Sequence, residues 1–541
     1  MSSSMNIVSL FLDQVQAQPN ALVLKVPQRS FGGRLSYQTR TFQALNQEID
    51  ATARYLLDQG IAPKHRVLLM VKPGLEFLQL VFALFKIGAV PILLDPGLGL
   101  RSYLKSIQHS QVDALIGIAK GLVLSFVCCR YFPKLKKRIL IHRGFQSKIR
   151  PYLSSATFEL YPTQGTDLAA ILFTSGSTGA PKGVCYQHRH FMAQVAAIQK
   201  AYAIKPGTVD LPLLAIFTLF NPVLGCLSVL PELDASQPAK LNPKKIIQAI
   251  LENKVQSSFG SPTLWDKIGD YCLDKKIDLP CMERILIAGA SLSPQLLKKL
   301  KNILPGGEVY TPYGATEGLP ISNISGKTLL EKEPPRHVFA GTCLGQPVDG
   351  VRVKIIKLEE GPIEGMKGAK VLRPGDIGEI IVQGPMVTDS YDQLPQATLL
   401  AKIRDGQTFW HRMGDLGYLD TEGYLWFCGR KVELVQTQEG PLYTEPCERI
   451  FRDDPRVQRV ALISLGKNKG GAALVIEPRD GFFPKNKEER LLFKQDILRI
   501  AQKFPASQAI SAIFFENKMP LDIRHNAKIH RLRLRDKYSI E

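Results

Sequence analysis

The sequence predicts an α/β protein with doubly wound sheets, because helical and strand patterns alternate from the start of the chain. Apolar residues recur at helical spacing from Phe42 to Leu56, and Gly60 ends that predicted helix. The apolar run Val67–Val71 predicts a buried strand. An apolar-faced helix over residues 75–86 and a second strand, Val90–Leu94, complete a βαβ unit.

The later parts of the chain divide into regions of different character. The βαβ alternation returns between about residues 166 and 320. Residues 340–430 carry short apolar runs separated by Gly and Pro, which predicts a smaller β-rich subdomain. We expect a boundary after Arg430, dividing a large N-terminal domain, residues 1–430, from a small α+β domain, residues 431–541.

The C-terminal part mixes strands with one clear predicted helix over residues 486–504. Leu491, Leu492, Ile497 and Ile500 are expected to line up on its core-facing side.

Composition excludes several classes of protein. The 541 residues are 45% apolar and 22% charged, as in soluble globular proteins. The longest apolar stretch, Leu75–Leu94, is interrupted by Glu76, Gln79 and Lys86, so no membrane span is predicted. The N-terminus lacks the basic and apolar regions of a signal peptide. The nine Cys show no C-x-x-C spacing, which favours reduced thiols in a cytoplasmic protein.

The net charge of +20 is distributed unevenly. Residues 130–150 hold eight Lys and Arg and no acid, directly after the apolar stretch Gly121–Cys129. One interpretation is a solvated surface with some attraction for an anionic substrate. The other is a docking surface for a membrane or a partner over residues 121–150. No nucleic-acid recognition motif accompanies the charge, so nucleic acid is not an expected partner.

A loop rich in small and hydroxylated residues follows the apolar strand Ala169–Phe173. Such a loop brings backbone N–H groups, hydroxyls and a mobile cation to a phosphate. The spacing differs from the Walker loop, since Pro181 precedes the Lys and Gly183 follows it. The sequence therefore predicts a different nucleotide-binding loop, formed by Thr174, Ser175, Gly176, Ser177, Thr178, Gly179 and Lys182.

This loop resembles the phosphate-binding motif of the adenylate-forming enzymes, which comprise acyl-CoA synthetases, luciferases and peptide-synthetase adenylation domains. Four further motifs follow in the order of that superfamily and extend the resemblance over essentially the whole chain. The resemblance implies ATP and Mg²⁺ as cofactors, bound between a large N-terminal domain and a small, mobile C-terminal domain. Its implied reaction joins a carboxylate to the α-phosphate of ATP.

Two of the four motifs lie in the second half of the N-terminal domain. A strand ending in a small-residue turn, Gly289, Ala290 and Ser291, resembles one wall of an adenine pocket. The run Tyr310–Gly318 resembles the next motif. There Tyr313 would stack on the base, Thr316 would reach a phosphate, and Glu317 would hold Mg²⁺ with Thr174; Gly314 and Ala315 lie between them.

The other two motifs flank the predicted domain boundary. Asp415, in Arg412–Tyr418, is expected to accept both ribose hydroxyls, and Arg430 adds a cation near the ribose or phosphate. Lys528 matches the mobile catalytic Lys of the superfamily and would bridge the carboxylate and the α-phosphate. Considered without the other motifs, Asp415 would be interpreted as a turn residue and Lys528 as a solvent-exposed charge.

Two positions depart from ordinary CoA ligases. Ala215 stands where a gating His is common, and Val432 stands where the hinge usually has Asp or Lys. Other phrases, such as Leu230–Asp234, resemble one branch, the β-lactone synthetases of bacterial olefin biosynthesis. This resemblance implies a long-chain 2-alkyl-3-hydroxy acid as substrate, in a pocket walled by Ala215, Phe217 and Phe220.

Two other activities stay open at this point: a fatty-acyl-CoA ligase, and an acyl-AMP ligase that loads a carrier protein. CoA dependence and transfer to a phosphopantetheine arm would distinguish them. The olefin branch implies partner enzymes that make the hydroxy acid and decarboxylate the lactone. No base for lactone closure is identifiable, since His188 and His190 are typical of surface or packing residues.

Overall fold

The structure is a computed structural model that describes most of the chain. Its described ranges are residues 5–28, 36–95, 97–173, 181–233, 240–335, 338–452, 454–466, 471–521 and 528–539, with the side chain of Ala215 outside them.

The first 150 residues alternate helices with strands, as the sequence predicts. The elements are α1 (Val8–Ala17), β1 (Leu22–Gln28), β2 (Ser36–Thr41), α2 (Phe42–Asp58), β3 (Arg66–Met70), α3 (Leu75–Lys86), β4 (Val90–Leu93), α4 (Leu100–His109), β5 (Ala114–Gly117), α5 (Ala119–Val127), β6 (Lys137–Leu140) and α6 (Phe145–Ile149).

The next part repeats the alternation and then turns to antiparallel pairing. The elements are β7 (Leu168–Phe173), β8 (Gly183–Gln187), α7 (His188–Ala201), β9 (Val209–Asp210), β10 (Leu227–Val229), α8 (Pro243–Asn253), β11 (Ser257–Gly260), α9 (Pro262–Lys275), β12 (Arg284–Ile287), α10 (Pro294–Ile303), β13 (Glu308–Ala315), β14 (Gly318–Ser325) and α11 (Gly326–Glu331).

The remaining elements are mostly strands up to residue 430 and a mixture after it. They are β15 (Thr342–Pro347), β16 (Arg352–Ile356), β17 (Gly378–Gln383), α12 (Pro395–Ala401), β18 (Lys402–Asp405), β19 (Thr408–Leu419), β20 (Leu425–Arg430), β21 (Val435–Thr437), β22 (Gly440–Leu442), α13 (Thr444–Arg452), β23 (Val457–Leu465), β24 (Gly471–Pro478), α14 (Lys487–Ala501), β25 (Ile510–Phe515) and α15 (Arg531–Tyr538).

Two sheets carry the N-terminal part, and the predicted α/β class is confirmed. The smaller has six strands in the order β6-β5-β3-β4-β7-β8, parallel except for the β7–β8 pair. The larger has 14 strands. Its strands β1, β10, β9, β11, β12 and β13 are parallel, and the antiparallel β-rich part continues from β14. No helix of the described ranges is long and apolar enough to cross a membrane.

Local sequence explains where several helices begin. The side chains of Thr41, Asn242 and Ser293 accept the N–H groups of Ala44, Lys244 and Leu296, which caps α2, α8 and α10. Pro243 and Pro294 occupy the first helical position, where their missing N–H costs no hydrogen bond.

The C-terminal part contains its own three-stranded sheet, β23-β24-β25. The helix predicted over residues 486–504 forms as α14, but its expected core face is partly wrong. Leu491 and Leu492 are 56% and 57% exposed, whereas Phe493, Ile497 and Ala501 are buried. The chain also forms α13 and α15 here, so the expectation of a single clear helix was incomplete. The boundary after Arg430 stays a prediction.

Buried ion pairs join α15 to the rest of the C-terminal part. Arg531 lies 2.7 Å from Glu448 of α13 and 3.2 Å from Glu433, measured between side-chain nitrogen and oxygen. Charged pairs of this kind offset the cost of burial only when partners are close and correctly oriented. The Arg531–Glu448 pair joins α15 to α13, and the Arg531–Glu433 pair joins α15 to the turn after β20.

We predict that Trp265→Ala destabilises the fold strongly. Trp265 of α9 is fully buried in the core beside the large sheet. Removing a buried aromatic ring costs about 3–5 kcal/mol through lost burial and the cavity left behind. Urea unfolding followed by circular dichroism measures the effect. Leu273→Ala on the same helix is the control, because Leu273 is 42% exposed; equal losses in the two variants would contradict the prediction.

Candidate active site

The carboxyl edges of the two sheets face one large cleft of about 2630 Å³. From the smaller sheet, residues just after β3, β4 and β5 line it, and from the larger sheet, residues just after β9, β10 and β12 do so. Strand ends of parallel sheets are where loops converge and where ligands of α/β proteins bind. The cleft is therefore the candidate site.

Most of the described site residues predicted from sequence line this cleft. They are Lys182, Gly289, Gly314, Ala315, Thr316, Glu317, Arg430 and Lys528. Ala290 and Ser291 follow Gly289 in the turn, and Ser291 is exposed. Thr174, Ser175, Gly176, Ser177, Thr178 and Gly179 fall outside the described residues. Residues as far apart in sequence as Lys182 and Lys528, which are separated by 346 positions, thus line the same cleft.

Tyr391, which also lines the cleft, contacts the Glu317 side chain. The Tyr391 hydroxyl donates to Glu317 Oε1 at 2.7 Å, and the backbone N–H of Thr388 donates to the Glu317 carbonyl at 2.8 Å. Burial and the neighbouring carboxylate raise the pKa of Tyr391, so its hydroxyl stays a donor. These contacts fix the direction of a carboxylate that lines the cleft.

A half-buried lysine, Lys402, lies near the same carboxylate. Burial lowers the pKa of Lys402 to about 7, while Glu317 and Asp389 oppose that shift. The Lys402 ammonium donates to the carbonyl of Thr388. His411, fully inside, has a pKa well below its ordinary value because of burial and the neighbouring Lys402. Sequence reasoning missed this cluster, since nothing in its spacing marks it as part of a site.

Asp415 lies at the centre of a second cluster. The hydroxyl of Tyr313 donates to Asp415 Oδ2 at 2.6 Å, and Nε of Arg430 lies 3.1 Å from Oδ1. Asp415 is 4% exposed, so the reading as an ordinary turn residue does not fit. Asp415 and Tyr313 are not among the residues that line the cleft, whereas Arg430, which pairs with Asp415, does line it.

Lys528 reaches the cleft from the C-terminal part of the chain. An isolated antiparallel bridge pairs Leu521 with Ile529, and the N–H of His530 donates to the carbonyl of Pro520 at 2.8 Å. The bridge places the segment that carries Lys528 against the cleft. Residues 522–527 are outside the described ranges.

Part of the cleft wall is apolar and aromatic. Phe217 stacks on Phe259 with ring centroids 3.6 Å apart, and its ring lies 6.0 Å from that of Phe220. All three line the cleft together with Leu213 and Ile216. The side chain of Ala215 lies outside the described residues, so its predicted place in the wall stays a prediction.

The two histidines beyond the phosphate loop have structural contacts. His188 Nδ1 accepts from the N–H of Ile7 at 3.2 Å, and burial lowers the pKa of His188 to about 4. His190 Nδ1 accepts from the N–H of Gln187 at 3.1 Å and caps α7. Neither is among the residues that line the cleft. Val432, half exposed, does line it.

Comparisons with known proteins show the family of the chain and near full-length relatives. A family model described as AMP-binding enzyme matches residues 11–392. The chain is 37% identical to an olefin beta-lactone synthetase of Xanthomonas campestris pv. campestris, covering 99% of this chain and 97% of that protein. It is 38% identical to an olefin beta-lactone synthetase of Stenotrophomonas maltophilia, covering 99% and 98%.

A solved structure shows the same fold. ATP-bound MatB from Rhodopseudomonas palustris matches with a TM-score of 0.80 at 19% identity and 99% coverage of both chains. The match of the family model to well over half of the chain and the near full-length relatives lead to one conclusion: the chain belongs to the AMP-binding enzymes, the adenylate-forming superfamily that its motifs resemble.

Proposed function

We propose that this protein activates a long-chain 2-alkyl-3-hydroxy fatty acid with ATP and closes it to a β-lactone, releasing pyrophosphate and AMP. The observation that carries the proposal is the near full-length identity of 37% and 38% to two olefin beta-lactone synthetases. The cleft also supports the proposal. It is lined both by polar residues that are predicted to bind ATP and by aromatic and apolar residues, and the substrate has one ionic end and long alkyl chains.

In the first step, a carboxylate oxygen of the acid attacks the α-phosphorus of ATP and pyrophosphate leaves. Two anions repel each other in this step, so positioned positive charge is the main requirement. Lys528 would lie between the carboxylate and the α-phosphate, Lys182 and Arg430 near the other phosphate and ribose oxygens, and Asp415 on the ribose hydroxyls.

Mg²⁺ fits the residues on this wall. Glu317 offers a hard oxygen ligand, which Mg²⁺ prefers, and Tyr391 fixes its orientation toward the cleft. Thr174 would be the second ligand from the chain. When bound, the ion would neutralise charge on the triphosphate. The chain's own contribution is the fixed carboxylate and the cations placed around it.

In the second step, the 3-hydroxyl oxygen attacks the acyl carbon of the adenylate, the hydroxyl proton is lost, and AMP leaves with the bridging oxygen. The attack is intramolecular, so a high effective molarity can offset the strain of a four-membered ring. No CoA is consumed. This accounts for Ala215 and Val432 at positions where CoA ligases carry gating and hinge residues.

The proposal also implies partners and a compartment. One enzyme must supply a β-hydroxy acid with an alkyl branch at carbon 2, and another must remove carbon dioxide from the lactone to leave an olefin. We place this work in the cytoplasm, where the nine Cys would stay reduced.

A product assay tests the proposed reaction. The protein is incubated with a 2-alkyl-3-hydroxy acid, ATP and Mg²⁺, with and without CoA, and products are identified by mass spectrometry and NMR. We expect a β-lactone and AMP in equal amounts, independent of CoA. An acyl-CoA that forms only with CoA present would instead assign the protein to the acyl-CoA ligases.

We predict that Lys528→Ala lowers the rate of acyl-AMP formation by about 10²–10³, because one charged partner of the developing phosphate charge is lost. Pyrophosphate release measures the rate, and equilibrium binding of a nucleotide shows whether ATP affinity is retained. Lys518→Ala, an exposed lysine of the same segment, is the control. Turnover within severalfold of the unmodified protein would show that Lys528 lacks this role.

We predict that Tyr391→Phe raises the Mg²⁺ concentration needed for half-maximal activity about tenfold. A hydrogen bond to a charged group contributes about 1.5–3 kcal/mol, and its loss frees the Glu317 carboxylate to turn. Mg²⁺ titrations at saturating ATP measure the shift. Tyr186→Phe is the comparison, since Tyr186 donates to the carbonyl of Thr316 and not to the carboxylate. An unchanged Mg²⁺ response in Tyr391→Phe would contradict the positioning role.

A further inference from the structure

One exposed face of the protein is apolar in a way that the candidate site does not explain. Helix α5 exposes Val123, Phe126 and Val127 at 60%, 63% and 77%. These three positions lie on one side of the helix, because they are spaced by three and four residues. Exposed apolar groups clustered on one helix are typical of an interaction surface. We call this side of α5, with the basic residues around it, the α5 face.

The charge around the apolar residues has one sign. Residues 114–158 contain no Asp or Glu. Exposed cations on α5 and on the segments that contact it, residues 129–131 and β6 with the loop before it, are Lys120, Arg130, Lys134, Lys136 and Lys137. The guanidinium of Arg138 lies 4.3 Å from the centroid of the Phe126 ring and donates to Ser125 Oγ at 2.8 Å. An anionic surface with an apolar interior complements both properties of the α5 face.

The cleft opens to solvent beside the same helix. Leu100 and Arg101 of α4 and Lys120 of α5 line the cleft, and all three are exposed. Gly121 and Leu124 line it from the side of α5 that faces inward. Helix α5 thus contributes residues to the cleft on one side and the exposed α5 face on another, and exposed cleft-lining residues lie at the beginnings of both α4 and α5.

We propose that the α5 face binds the surface of an anionic lipid bilayer and that the alkyl chains of the substrate enter the cleft between α4 and α5. Basic side chains attract anionic headgroups, and Phe126 with the two valines inserts at the headgroup boundary. A chain leaving the bilayer at this opening passes from one apolar medium to another with little exposure to water. The route for the chains rests on the proposed function, whereas lipid binding itself does not.

Sedimentation with lipid vesicles tests the binding. We expect the protein to sediment with vesicles of phosphatidylcholine and phosphatidylglycerol, to stay largely in solution with phosphatidylcholine alone, and to be released by salt. The combined variant Val123→Ser, Phe126→Ser, Val127→Ser should lower the partition coefficient about tenfold or more. Its control is Leu491→Ser, Leu492→Ser, which removes leucines of similar exposure from α14.

A charge variant tests the electrostatic part separately. Lys134→Glu, Lys136→Glu, Lys137→Glu should also lower partitioning by about tenfold or more, since each basic residue near an anionic surface contributes on the order of 1 kcal/mol. The matched control, Lys276→Glu, Lys298→Glu, Lys301→Glu, changes the net charge equally at exposed positions elsewhere. Equal loss in variant and control would show that net charge, and not the α5 face, governs binding.

Turnover separates this proposal from the proposed function. Both α5-face variants should convert a short-chain, water-soluble 2-alkyl-3-hydroxy acid at the unmodified rate and lose activity on a long-chain acid presented in vesicles. Absence of vesicle binding by the unmodified protein, or a dimer that covers the α5 face in solution, would overturn the proposal. Equal loss on both substrates would assign the α5 face to folding. Failure to form any lactone from the soluble acid would overturn the proposed function alone.

Discussion

Two sheets turn the carboxyl ends of their parallel strands toward one cleft, and the segments that carry Asp415, Arg430 and Lys528 are placed around that arrangement. Ala288 and Gly289 follow β12, so the backbone at the end of this strand can be approached closely by a ligand. Lys182 and Glu317 are 135 residues apart in sequence, yet both face the same space. The chemistry requires this, because an anionic acid and an anionic triphosphate must meet among fixed cations.

In and around the cleft, polar side chains are held by hydrogen bonds to other polar side chains. Tyr391 donates a hydrogen bond to Glu317, and Tyr313 donates one to Asp415. The carboxylates of Glu317 and Asp389 favour the charged form of Lys402. Each contact has a cost in desolvation that only a close partner offsets. Orientation is thereby fixed before substrate arrives, which is the condition for electrostatic stabilisation of a developing charge.

Sequence patterns predicted the parts of the fold that local chemistry determines. Helix α3 begins and ends where its apolar face predicts, at Leu75 and Lys86. The face of α14 was misjudged, since apolar residues occur on several sides and only the position of β25 decides which are buried. Tyr391 was missed because it lies 74 residues from Glu317, and one aromatic residue carries no periodicity. Helix α15 was missed because its sequence is dominated by basic residues and only two of its residues, Leu534 and Tyr538, are buried, which is too few to give a clear helical pattern.

Oxygen transfer from the substrate tests the central claim, that the carboxylate is activated as an adenylate before the ring closes. The acid is labelled with ¹⁸O in both carboxylate oxygens, and the products are analysed by mass spectrometry. Activation through the carboxylate predicts one ¹⁸O in AMP and one in the carbonyl of the lactone, with an unlabelled ring oxygen from the hydroxyl. Unlabelled AMP together with a lactone that keeps both labels would show that the hydroxyl is activated instead, and would contradict the account.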